Sequence, residues 1–268
     1  VLKLILKLTN QQGAKKKMQK TKISILGTVA AGMMMISSGA QAVPKLPCDT
    51  AQLIVPWKPG GGTQVLYALV EKTISEIDTP YKLKVVTVPG QGGNKGAKKA
   101  AKAKPDGCTL FAIHQSAITS YLNGRIDFHY NGFEPVANVT VTPDIVSASA
   151  NAPFDSIEGM IKHVKANPGK VTAGATFGST SHFIWLLLEK QTGIKLNLVP
   201  YDGTSERMNA LLSGAIMLGS MNVASGGKHL KAGTIKPLAI AADNRDDKLP
   251  NVPTLKERGI DLSFALER

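Results

Sequence analysis

Four stretches of this chain are suited to holding an anion through the main chain. The first is Pro59-Gly60-Gly61-Gly62-Thr63-Gln64. It follows the apolar run Leu53-Ile54-Val55 and enters a helical pattern with Val65, Leu66, Leu69, Val70 and Ile74 on one face. Glycines let backbone N–H groups come close to a ligand, and a helix N-terminus favours negative charge. Three further turns have the same character: Pro89-Gly90-Gln91-Gly92-Gly93-Asn94-Lys95-Gly96, Ala175-Thr176-Phe177-Gly178-Ser179-Thr180-Ser181-His182 and Pro200-Tyr201-Asp202-Gly203-Thr204-Ser205. Helix capping by Asn94, Ser179, Thr180 or Thr204 explains any single turn. Several such turns after strands are a stronger signal, because open α/β sheets bind ligands at the carboxyl ends of their strands.

Other chemistries fail on spacing. A phosphate loop needs Gly, four residues, then Gly-Lys-Ser/Thr, but Ala97 follows Gly96 and Gln91 stands five residues before it. Lys95 occupies the third glycine position of a dinucleotide fingerprint. No Gly-x-Ser-x-Gly elbow and no His-Glu-x-x-His is present. Ser179, Ser181 and His182 are neighbours on one turn, which seldom makes a nucleophile–base pair, and are read as loop and cap residues. His114 ends an apolar strand and either faces a ligand or terminates the strand. His129, His163 and His229 lie in polar settings and are read as solvated. Trp185 shares a helix with Phe183, Leu186 and Leu187 and is read as core; Trp57 either packs under the glycines or walls a pocket. Close Cys/His spacing is lacking, so no metal and no cofactor is expected.

Strand signals at 52–56, 83–88, 108–113, 134–140, 143–149, 171–174, 196–199, 215–220 and 236–241 alternate with helical patterns at 64–77, 94–103, 115–122, 156–166, 181–191 and 204–213. Such alternation means mainly parallel sheets flanked by helices, an α/β fold. No internal repeat or low-complexity linker interrupts it.

Residues 1–42 carry seven lysines and no acidic residue. Lys15, Lys16, Lys17, Lys20 and Lys22 precede an apolar run from Ile23 to Ser38, and Ala40-Gln41-Ala42 supplies a small-residue cleavage site. The expectation is a signal peptide starting at Met18 and cut after Ala42, with residues 1–17 an upstream extension. Sixteen residues containing Gly, Ser and Thr fall short of the roughly 20 that a spanning helix needs. Without the leader the charge falls from +13 to +6. The 226 residues that remain exceed a typical domain and suggest two. A mildly basic exported protein suits an anionic small ligand, or simply carries solubilising lysines. With no arginine cluster and no aromatic stacking array, nucleic acid is disfavoured. The pair Cys48 and Cys108 precedes or opens strands, and in an oxidising compartment is read as one bridge, the alternative being two buried thiols.

The chain resembles the extracytoplasmic substrate-binding receptors of tripartite tricarboxylate transporters, the Bug-type receptors. The matching pieces run in order: 54–63, 89–96, Lys104-Pro105-Asp106-Gly107-Cys108-Thr109-Leu110, Phe133-Glu134-Pro135-Val136-Ala137, Asn167-Pro168-Gly169-Lys170, 178–182, Pro200-Tyr201-Asp202-Gly203 and 249–257. The resemblance implies a two-lobed type II periplasmic-binding-protein fold, with lobe one at 48–140 and 238–268 and lobe two at 141–237. It implies a ligand carboxylate held by Pro59, Gly60, Gly61, Gly62, Thr63, Gln64, Gly178, Ser179, Thr180, Tyr201, Asp202 and Gly203. His114 and Ser116 would line the cleft, and the 90–96 loop would be structural. The implied role is periplasmic capture of a small organic acid for membrane permease subunits, without catalysis. Docking on a sensor kinase is the alternative, and an exported hydrolase or transferase the remoter one. The family has Asp where this chain has Gln64, which favours plain carboxylates over amino acids. Family members continue beyond Arg268, so lobe one is expected to be incomplete here.

Overall fold

The computed structural model describes residues 46–268; the leader expected over residues 1–42 lies outside the described residues. The described elements run β1 (Thr50–Val55), α1 (Gly62–Glu76), β2 (Lys82–Thr87), α2 (Asn94–Ala101), β3 (Thr109–Phe111), α3 (Ser116–Leu122), β4 (Val141–Pro143), β5 (Ile145–Ser149) and α4 (Ile157–Ala166). They continue with β6 (Thr172–Ala175), α5 (Thr180–Thr192), β7 (Asn197–Pro200), α6 (Thr204–Leu212), β8 (Leu218–Met221), α7 (Val223–Lys231), β9 (Ile235–Ile240) and β10 (Ala265–Glu267).

Three strands form a parallel sheet in the order β2-β1-β3, with Leu53 opposite both Val85 and Leu110. Five form a second sheet, β7-β6-β8-β5-β9. In it β6 is parallel to β7 and β8, while β5 runs antiparallel to β8 and β9. A parallel neighbour requires a crossover of a dozen residues or more. β5 is reached from β4 through Asp144 alone, so it enters from the end at which β8 finishes, pairing Ile145 with Met221. β4 and β10 make a separate antiparallel ribbon.

The larger core lies on one face of the five-stranded sheet. Ile157 and Met160 of α4 and Ile184, Trp185 and Leu188 of α5 are fully buried against Val146, Ala148, Ala173, Ala175 and Leu218. Trp185 is core, as its helical neighbours suggested, and its Nε1 donates to the Gly174 carbonyl at 3.0 Å. Met208 and Leu211 of α6 and Leu230 of α7 belong to a second cluster with Ile216, Ile235 and Ile240. A smaller cluster joins Leu53, Val55, Trp57, Tyr67 and Ala112.

Three expectations change. Residues 134–140 form no strand: Val139 and Thr140 donate N–H groups to the Arg268 carbonyl instead of a ladder, and Val136 is exposed. α7 forms although Gly226 and Gly227 weaken it, because Asn222 and Ser225 close a capping box at its start. On α1, Val65 and Leu69 face solvent, whereas Leu66, Tyr67 and Val70 pack inward. Leu249, Val252, Leu255, Ile260 and Leu262, in the 238–268 segment expected with lobe one, pack into the clusters around the five-stranded sheet. A disulfide joins Cys48 to Cys108 (S–S 2.03 Å), tying the amino ends of β1 and β3 away from the loops that follow those strands.

Candidate functional site

The carboxyl ends of β1, β6, β7 and β8 deliver four helix starts to one cavity. Gly61, Gly62 and Thr63 come from the start of α1, Ser179, Thr180 and Ser181 from α5, Gly203 and Thr204 from α6, and Met221 and Asn222 precede α7. Trp57, His114, Asp144, Thr176, Arg207, Leu266 and Arg268 complete the wall. At α1, α5 and α6 no side chain caps the helix. Their first N–H groups therefore remain available to a guest, and each helix end contributes about half a positive charge.

Local sequence explains the missing caps. Gly61 and Gly203 stand at two of the cap positions and have no side chain to offer. Ser179 stands at the third, but its Oγ donates to the Thr176 carbonyl at 2.7 Å and lies 3.2 Å from Ser181 Oγ. Ser181 Oγ in turn accepts from Thr176 N at 2.9 Å. Thr204 is the first residue of α6, and its Oγ1 accepts from Arg207 Nη2 at 3.1 Å.

Four buried ionisable side chains face the same space. Arg207 is 6% exposed and donates through Nη1 to Thr176 Oγ1 at 2.7 Å. Burial lowers its pKa to about 10, which leaves it charged at neutral pH. Arg268 donates through Nε to Thr63 Oγ1 at 2.9 Å and through Nη1 to Thr142 Oγ1 at 3.0 Å. Asp144, at the one-residue crossing from β4 to β5, is pushed up to about 7 by burial, against the pull of Arg207 and Arg268. His114 stacks on Trp57 with ring centroids 5.2 Å apart. Burial drives its pKa down to about 3, so the ring is neutral, and its Nδ1 accepts from Ser116 N at 3.2 Å. Among the described residues no group of three or more His, Cys, Asp or Glu could hold a metal.

Of the residues expected at the ligand, Gly61, Gly62, Thr63, His114, Ser179, Thr180 and Gly203 line the cavity. Pro59, Gly60, Gln64, Ser116, Gly178, Tyr201 and Asp202 are not part of its wall, and hydrogen bonds elsewhere explain most of these. The Pro59 carbonyl accepts from Ser205 Oγ at 2.6 Å, and Gly60 N donates to Gln64 Oε1 at 3.1 Å. Ser116 turns its N–H to His114. Gly178 N donates to His182 Nδ1 at 3.3 Å, while its carbonyl accepts from Thr119 Oγ1 at 2.7 Å. Tyr201 N donates to the Ala175 carbonyl at 2.8 Å, and Asp202 Oδ1 accepts from Gly92 N at 2.7 Å. Three of these bonds, Ser205 to Pro59, Gly92 to Asp202 and Thr119 to Gly178, tie the β1 and 90–96 loops, and α3, to the turns of the five-stranded sheet. The Lys58–Glu206 ion pair does the same, as does Arg125, which donates to the Phe177 carbonyl at 2.7 Å and the Gln91 carbonyl at 2.9 Å.

The 90–96 loop is packing structure. Gly93 lies against Trp57, where a Cβ would sit 3.0 Å from two ring atoms, and at Gly96 a Cβ would meet Pro56 at 2.8 Å. Arg207 was legible in principle: it lies three residues after Thr204, on the same side of the helix start. Asp144, Asn222 and Arg268 have no local pattern that marks them.

A family model for the tripartite tricarboxylate transporter family receptor matches residues 82–265. Protein BugT of Bordetella pertussis is 30% identical over 218 residues, covering 80% of this chain and 67% of that protein. The solved periplasmic binding protein BugD superposes with a TM-score of 0.75 at 26% identity, covering 81% of this chain and 74% of that one. MatC from Rhodopseudomonas palustris with bound malate also gives a TM-score of 0.75 at 26% identity, covering 83% and 77%. These neighbours have the two-lobed periplasmic-binding-protein fold. With uncapped helix starts gathered on one cleft and a family match over more than half its length, the chain belongs to the tripartite tricarboxylate transporter receptor family.

Proposed function

We propose that this chain captures a small organic acid in the cleft between its sheets and presents it to the permease subunits of a tripartite transporter. The observation that carries the reading is the set of three uncapped helix starts, α1, α5 and α6, around one cavity that also holds two buried guanidinium groups. A carboxylate there would accept charge-assisted N–H bonds, worth about 1.5–3 kcal/mol each. A few of them support micromolar affinity, about −8 kcal/mol. Malate bound to the related MatC is consistent with this chemistry.

The closed cavity measures about 40 Å³, room for two or three waters but not for a dicarboxylate. Loading therefore requires the two sheet systems to part, with the crossing at Asp144 among the hinge segments. The contacts that reclose it are Lys58–Glu206, Ser205–Pro59 and Arg125 on both loops. The closed form is the species a permease would recognise. Binding without turnover fits the seryl hydroxyls, which bond to one another and to Thr176. The reading places the mature chain in the periplasm.

Calorimetric titration with succinate, malate, glutarate, adipate and citrate tests the reading. Micromolar heats from at least one acid, with the acid recovered unchanged, are expected. Absence of binding across that set, with neutral amides binding instead, would overturn it.

A further inference from the structure

We propose that a basic groove beside α2 is the docking surface for the protein partner, and that it receives an acidic peptide segment on Lys98, Lys102 and Arg125. The proposal goes beyond the carboxylate reading and rests on it only for the partner being a permease subunit.

The groove lies between α2 and the end of α3 with the turn that follows, and it shares no wall residue with the cavity at the helix starts. Its volume is about 880 Å³. Lys98, Lys102 and Arg125 line it together with Tyr121 and Phe128, and Asp127 is its one carboxylate. All three cations are exposed, and none joins an ion pair among the described residues. Lys95 and Lys99 carry the same charge along α2, which contains no acidic residue, and they too lack an ion pair among the described residues.

Helix stability does not account for this arrangement. Lys98 and Lys99 in the last turn suit the helix dipole, but Lys95 sits in the first turn, where a cation is disfavoured. Lys95 and Lys99 stand four residues apart, as do Lys98 and Lys102, a spacing at which like charges repel. An anionic partner relieves that repulsion.

Shape and position select the partner's class. A concave groove walled by two aromatic rings fits an extended peptide better than it fits a flat lipid surface, and aromatic and arginine side chains are the types enriched at protein interfaces. Arg125 also ties the groove to the closed receptor. Its Nη1 donates to Phe177 in the turn before α5 and its Nη2 to Gln91 in the 90–96 loop, so both bonds exist only when those turns meet. A guanidinium has five N–H groups, and these two bonds leave three for a carboxylate.

The test measures fluorescence anisotropy of a labelled peptide of alternating Asp and Ser, and of its Asn–Ser counterpart, on the full chain. The Asp peptide should bind about tenfold more tightly at low salt, and the difference should narrow as salt rises. The pair Lys98→Glu and Lys102→Glu should weaken the Asp peptide about tenfold and leave the melting temperature and the carboxylate affinity unchanged. Arg125→Gln should weaken the Asp peptide and not the Asn peptide. Lys170→Glu with Lys195→Glu, two exposed lysines outside the groove, removes the same net charge and should have little effect. Equal binding of the two peptides, or equal loss from the two lysine pairs, overturns the proposal. Binding to phosphatidylglycerol vesicles that depends on Lys98 and Lys102, with no binding of the Asp peptide, overturns it in favour of lipid. None of the peptide readouts needs an acid in the cleft, so a failure here leaves the carboxylate reading intact, and a failed acid titration leaves this result standing.

Discussion

A methyl group at Gly62 should separate closure from folding. A Cβ there would lie 2.6 Å from Asn222 Oδ1, 2.7 Å from Nδ2 and 3.0 Å from Cγ. Heavy atoms at optimal contact are about 3.5–4.0 Å apart, so something must move. Asn222 is not free to swing away: it is buried, and its Oδ1 accepts from Ser225 N at 3.1 Å to cap α7. Losing that cap would cost about 0.5–2 kcal/mol. The alternative is for α1 to withdraw from α7, which spares the cap and penalises only the closed form. Gly62 is the first residue of α1 and is not in the left-handed region, so alanine fits its backbone. Gly→Ala at a compatible position stabilises by about 0.4–1 kcal/mol through the unfolded chain. Gly62→Ala is therefore expected to melt at the same temperature or slightly higher. Its affinity for the guest should fall by about 2- to 30-fold, the cap range converted to a ratio. Calorimetric titration and thermal melts on the same preparations measure both. A lower melting temperature with unchanged affinity would show that Asn222 yields while α1 stays seated. No change in either would refute the contact.

Other perturbations bear on the site and its frame. Burial raises the Asp144 carboxyl from 3.8 to about 7, so the folded protein holds a proton there that the unfolded chain has lost. Stability should fall as pH rises between about 4 and 7, by up to ~1.4 kcal/mol per unit, then level off. Asp144→Asn should flatten that slope; equal denaturant midpoints against pH in both proteins would exclude the effect. Carboxylate affinity should also decline as pH passes 7, since an ionised Asp144 offsets part of the field of Arg207 and Arg268. Reducing the Cys48–Cys108 bridge, which spans a separation of 60 residues, should cost about 2–5 kcal/mol. Melting that is indifferent to reductant would contradict it. Trp185→Ala, at a fully buried position, should cost about 3–5 kcal/mol. Trp185→Phe should cost less but still measurably, because the Gly174 carbonyl loses its donor. Urea midpoints for the pair would settle the order.

Much of this design is written locally. An apolar run into a glycine turn and then an amphipathic helix is a short-range pattern, and the turns after β1, β6 and β7 stand where that pattern put them. The absence of side-chain caps could be read in part as well, because Gly61 and Gly203 can offer none. What the turns left open was direction. Within a single loop, one carbonyl accepts from a turn of the other sheet while the next N–H bonds inside the loop, as at Pro59 and Gly60. Periodicity does not distinguish them, since the distinction depends on a partner such as Gln64 or Ser205.

The rest belongs to the tertiary structure. The strand pattern at 134–140 found no ladder, and residues 249–262 packed on the second sheet, because both outcomes depend on which surfaces are already occupied. The charged wall shows this most clearly. Asp144, Arg207 and Arg268 come from three distant points of the chain, and each alone looks like an ordinary surface residue. Sequence determined where main-chain donors would end a strand and begin a helix, because that is set by neighbours a few residues away. Only the folded chain decided which charges would be stripped of water beside those donors, because desolvation is a property of everything packed around a group.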